Sequence, residues 1–122
     1  MNEPKSRPKL APVSEDMKEW AALLGTELSS WPAVTARRMF GMTAFYRKKK
    51  IFAVLPRTRS FGESQSIGFR MERKKPQNRE RLAADPRIVF REDAKWISFE
   101  IGDEGDLRTA IKWLDLAYRE CH

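Results

Sequence analysis

The stretch ARRMFGMTAFYRKKKIFAVLP, residues 36–56, decides the fold. Its first half continues from Val34 as VTARRMF and TAFYRK, runs rich in β-branched and aromatic residues that suit a pleated, half-buried surface. Gly41 between them reads as a bend or bulge within one long strand rather than a full reversal. The run RKKK at 47–50 is too polar to bury and supplies a turn. KIFAVLP then reads as a second strand, with Ile51, Ala53 and Leu55 on one face and Phe52 and Val54 on the other. The whole stretch is therefore expected to be a β-hairpin with a basic tip.

Before this hairpin, SEDMKEWAALLGTEL places Met17, Trp20, Ala21, Leu24 and Leu28 at the spacing of one buried helical face. Ser14 is a ready N-cap, and Glu15 and Asp16 follow where the helix dipole favours negative charge. Pro32 ends the helical conformation at Trp31. Residues 1–12 hold charges and three prolines without an apolar run, so they are expected to be a disordered arm rather than a signal peptide or membrane anchor. Residues 13–122 are expected to form one domain, large enough to bury a core without a disulfide or a metal.

Beyond the hairpin, RTRSFGES reads as a loop and SIGFRM as a third strand, in which Gly68 marks a bulge or the close approach of another backbone. KPQNRERLAAD begins with Pro76, which suits a first helical turn, and stops before Pro86. RIVFRE and KWISFEI enclose the dipeptide DA as a second hairpin, with Ile97, Phe99 and Ile101 alternating with polar residues. The closing segment spaces Leu107, Ala110, Ile111, Leu114, Ala117 and Tyr118 as a helix, with Asp103 or Asp106 as its cap. The order is α-β3-α-β2-α. An α+β fold follows: two layers, a five-stranded, mainly antiparallel sheet, and helices on one face.

Charge is unevenly placed. The net charge is +7, yet residues 36–82 carry fourteen Lys and Arg against three Glu, so the flanks are mildly acidic. Such a centre holds phosphates, attracts an acidic protein or a small anion, or simply keeps a surface solvated. The residues expected to make the contact surface are Arg37, Arg38, Arg47, Lys48, Lys49, Lys50, Arg57 and Arg59, with Tyr46 as the aromatic most exposed among them. Phe45 and Phe61 offer further stacking faces if they are not core.

The residues ARRMFG, an aromatic strand, a polar turn and KIFAVL resemble the N-terminal domain of the TfoX/Sxy proteins. That family's usual run is Arg-Arg-Met-Phe-Gly-Gly, an apolar strand, a turn and a Met-Phe-Ala strand. DPRIVFREDAKWISFEI and the last helix are similar in style to YjbR-like and small luciferase-type domains of unknown function. The resemblance implies the two-layer arrangement of type III secretion chaperones. Met42 stands where the TfoX pattern has its second glycine. Longer TfoX proteins carry a second domain for which a chain ending at His122 has no room, so the resemblance implies a binding or regulatory module and not the competence role.

Catalysis finds few candidates. The only His, His122, is terminal, and Cys121 beside it makes a poor dyad partner because sequence neighbours rarely point at each other along a helix. Zinc spacing, a Gly-rich phosphate loop and a strained nucleophile turn are missing from the sequence. Glu92, Asp93, Asp103, Glu104 and Asp106 sit where turns and caps use carboxylates. The expected function is thus non-enzymatic binding of nucleic acid or an acidic protein, in the cytoplasm, with no cofactor, metal or membrane. A homodimeric, chaperone-like role is the alternative, resting on Phe52, Val54 and Trp96 as an exposed apolar patch, and an enzyme of unknown reaction is a second.

Overall fold

The computed structural model describes residues 12–61, 65–72, 74–89 and 95–121. Helix α1 (Glu15–Ser29) starts as its sequence dictates: the Ser14 hydroxyl accepts the Met17 N–H at 3.0 Å, and Met17, Ala21, Leu24 and Leu28 are its buried face. Strands β1 (Val34–Met39), β2 (Met42–Arg47), β3 (Lys50–Pro56) and β4 (Ser66–Phe69) follow, then α2 (Pro76–Ala84), β5 (Ile88–Val89), β6 (Ile97–Glu100) and α3 (Asp106–Glu120). One antiparallel sheet holds all six strands in the order β1-β2-β3-β4-β6-β5.

Among the described residues six strands replace the five expected, because Gly41 marks a complete reversal. Phe40 and Gly41 have φ of 48° and 78°, and two successive left-handed residues make the tight turn whose twist matches a hairpin. Met39 pairs with Met42 across it, and the register runs unbroken to Val34 opposite Arg47. A second two-residue turn at Lys48 (φ 60°) and Lys49 leads into β3.

The face assignment along β3 also changes. Phe45 pairs with Ala53 while Tyr46 pairs with Ile51, so one residue of β3 is extra. That bulge turns Phe52 to the helix side with Ala53 and Leu55, and leaves Ile51 with Val54 on the other. Phe52 is 1% exposed and Val54 2%, so the apolar patch expected of Phe52, Val54 and Trp96 does not exist as a surface.

The main core lies between α1, α3 and one sheet face, built on Phe52, Phe69, Phe99, Leu24, Leu28 and Leu114, with Leu82 of α2 joining it. Each such side chain contributes roughly 1.5–3 kcal/mol by leaving water. A smaller cluster of Met42, Ala44 and Val54 lies on the opposite, helix-free face, flanked by Tyr46, Ile51, Phe61 and Trp96. Gly68 makes room there: a Cβ would meet the Phe61 ring at 2.7–2.9 Å, so the close approach is by an aromatic side chain rather than by backbone. The first helical residue of α3 is Asp106; its carboxylate accepts the N–H groups of Gly102 and Asp103, and the cap position itself is Gly105. Residues 1–11 of the arm expected at 1–12, Phe90–Ala94 with the expected DA turn, and His122 lie outside the described residues, while Pro12 forms an isolated bridge with Arg59.

A basic cleft at one end of the sheet

β3 and β4 pair through Ala53–Phe69 and Val54–Gly68, and a last bond runs from the Arg70 N–H to the Phe52 carbonyl at 3.1 Å. Past that point the two chains diverge. The opening is a cleft of about 1010 Å³, walled by Lys49, Lys50 and Ile51 on one side and by Arg70, Met71, Glu72 and Lys74 on the other. Arg79, Leu82 and Ala83 of α2 and Ala117, Glu120 and Cys121 at the end of α3 complete it, with Lys95 at the rim.

Among the described residues, six cationic side chains therefore face two carboxylates. One of the two, Glu120, is already committed: its oxygens accept the Glu72 N–H at 2.8 Å and the Asn78 amide at 2.7 Å. Asn78, 4% exposed, also donates to the Glu72 carbonyl at 2.7 Å, so this network ties α2 and the chain after β4 to α3. The Cys121 thiol donates to the Lys50 carbonyl at 3.5 Å and fixes the end of α3 against β3. Among the described residues Lys49, Lys74, Arg79 and Lys95 have no acidic partner. Unpaired cations on a polar frame concentrate positive potential in a concave site.

The residues expected to form one contact surface are distributed over the sheet. Arg37 and Arg38 are neighbours in sequence and so point to opposite faces, in register with Ala44 and Thr43. Arg47 is a packing residue: it donates to the Tyr118 carbonyl at 2.8 Å and lies 4.2 Å over the Tyr118 ring centroid. Lys48 is an exposed turn residue, and Lys49 and Lys50 enter the cleft. Arg57 and Arg59 sit at the far end of β3, which at seven residues spans about 20 Å. Their backbone N–H groups, with that of Thr58, all donate to the Gly41 carbonyl. Tyr46 is half-buried on the helix-free face, whereas Phe45 is buried against the helices.

The cleft adds Arg70, Lys74, Arg79 and Lys95, which were absent from the expected set. The run RMERKKPQNRER at 70–81 signalled charge density, but its nearness to Lys49 and Lys50 depends on β4 pairing with β3. Among the described residues no group of three His, Cys, Asp or Glu side chains is placed to hold a metal ion, and no helix is long and apolar enough to cross a membrane. No family model, curated protein or solved structure matches the chain.

Proposed function

We propose that the chain is a non-enzymatic binding module of TfoX N-terminal-like arrangement that holds the phosphates of a nucleic acid in the basic cleft. The observation that carries this reading is the cation set Lys49, Lys50, Arg70, Lys74, Arg79 and Lys95 around one concave site in which Glu120 is spent on internal hydrogen bonds. The likeness to the TfoX run rests on the residue order ARRMFG, aromatic stretch, basic turn and KIFAVL. Lys and Arg neutralise phosphates and release condensed counterions, which makes affinity steeply salt-dependent.

Fluorescence anisotropy with short labelled single-stranded and duplex oligonucleotides, at two salt concentrations, tests it. Sub-micromolar binding at low salt that weakens steeply with added salt is expected. In the double variant Lys49→Glu, Lys74→Glu the salt slope falls by roughly 0.7 per lost contact on a single strand or 0.9 on duplex. Weak binding that is flat with salt and indifferent to the double variant removes the reading and directs the search to acidic proteins.

A further inference from the structure

The cleft opens onto a row of side chains on the helix-free face. Tyr46 of β2 stands in register with Ile51 of β3. Arg70 lies one residue past Phe69 and Trp96 one residue before Ile97, so the β4–β6 ladder, which pairs Phe69 with Ile97, brings these two together as well. The Arg70 guanidinium sits 5.7 Å from the Trp96 ring centroid. Tyr46, Ile51, Arg70 and Trp96 thus cross four neighbouring strands at the cleft end of the sheet, about 14 Å at the usual strand spacing. Ile51 and Arg70 belong to the row and to the cleft wall at once, so the two surfaces are continuous.

The polar atoms of three helix-side aromatics are paired, while Trp20, packed against the same core, has no hydrogen-bond partner among the described residues. On the helix side, the Trp31 indole donates to Glu27 at 3.1 Å, the Trp113 indole to Asp85 at 2.9 Å and the Tyr118 hydroxyl to the Pro32 carbonyl at 2.8 Å. On the helix-free face the Tyr46 hydroxyl and the Trp96 indole N–H have no partner among the described residues. Both rings are half-buried, held in place by packing and still reachable. Phe61, tilted against Trp96 at 5.7 Å over the gap left by Gly68, braces the indole from the loop side.

From this juxtaposition we infer that the nucleic acid is single-stranded: phosphates lie in the cleft while unpaired bases pass over the sheet edge and stack on Trp96 and Tyr46. The inference rests on the reading of the cleft as a phosphate site. A duplex keeps its base faces stacked inside and has nothing to offer these rings, whereas a single strand supplies charge and π-face together. Arg70 joins the two functions: it lines the cleft, and its guanidinium lies 5.7 Å from the Trp96 ring centroid.

An eight-nucleotide oligothymidylate and an abasic deoxyribose-phosphate oligomer of equal length carry the same phosphates and differ only in bases. Titrated against the full chain, the oligothymidylate is expected to bind roughly fivefold to a hundredfold more tightly, the range of one stacked base. Tyr46→Leu and Trp96→Leu should shrink that ratio while leaving the salt slope unchanged, with thermal melts recording that each variant is folded. Equal affinity for the two oligomers, or a duplex preferred over both, overturns the single-strand inference and leaves the phosphate cleft standing. Absence of binding by either oligomer takes the cleft reading down as well. A rise in mass on raising the protein concentration, with no base effect, assigns the face to a second copy and overturns the inference.

Discussion

Phe40 is 86% exposed and holds a backbone conformation that bulky L-residues avoid, while its neighbour Gly41 holds one that only glycine takes freely. Gly41 has two further constraints. A Cβ there would sit 2.8 Å from Thr58 Oγ1 and 3.1 Å from Arg59 Cγ, and its carbonyl accepts three consecutive N–H groups from 57–59. Gly41→Ala should therefore cost about 1–3 kcal/mol, combining left-handed strain of roughly 1–2 kcal/mol with the displaced loop. Phe40→Asn should act in the opposite direction, raising stability by about 0.5–1 kcal/mol, because Asn-Gly is the preferred pair for this turn and the lost ring contacts little. Urea denaturation midpoints read both changes; two losses of equal size would show that the turn is held by the Phe40 ring rather than by backbone geometry. This turn also explains why one strand was expected where two exist. Gly41 announces a left-handed residue, but nothing in a phenylalanine announces another.

At the scale of elements, Arg47 shows how a charge in a basic run becomes part of the packing. It lies on β2 opposite Val34, and its guanidinium closes on the C-terminal turn of α3 through the Tyr118 carbonyl and ring. A cation there meets the negative end of the helix dipole, at a carbonyl that also accepts the Cys121 N–H at 3.1 Å. Arg47→Ala is expected to lower stability by about 1–3 kcal/mol, judged by denaturant titration, and to leave oligonucleotide affinity unchanged in the folded protein. A loss of affinity without a loss of stability would return Arg47 to the binding surface. What was legible beforehand follows the range of the signal. The cap at Ser14, the apolar spacing of α1 and α3 and Pro76 at the start of α2 are local and read correctly. The bulge at Phe52 has no compositional mark, so strict alternation put Phe52 on the wrong face. The cleft was legible only as charge density. Lys49 and Lys74 are 25 positions apart in sequence and meet because β3, β4 and α2 bring them to one opening.

For the whole molecule the question is whether net charge or its placement governs binding. The cations fall into two sets at opposite ends of β3: the cleft with Lys49 and Lys74, and the Phe40–Gly41 turn with Arg38 and Arg59. A seven-residue strand separates them by about 20 Å, well beyond the screening length of about 8 Å at physiological ionic strength and within the roughly 30 Å at 0.01 M. The double variants Lys49→Glu, Lys74→Glu and Arg38→Glu, Arg59→Glu lower the net charge from +7 by the same amount, and all four side chains are exposed. Their comparison therefore isolates position. At 0.15 M salt the cleft variant should lose roughly tenfold or more in affinity for a single-stranded oligonucleotide while the turn variant stays near the parent. At 0.01 M the gap should narrow, because the field of the turn arginines then reaches a ligand held at the cleft. Equal losses at both salt concentrations would mean that the polyanion samples the whole basic surface, and the cleft would lose its claim as the site.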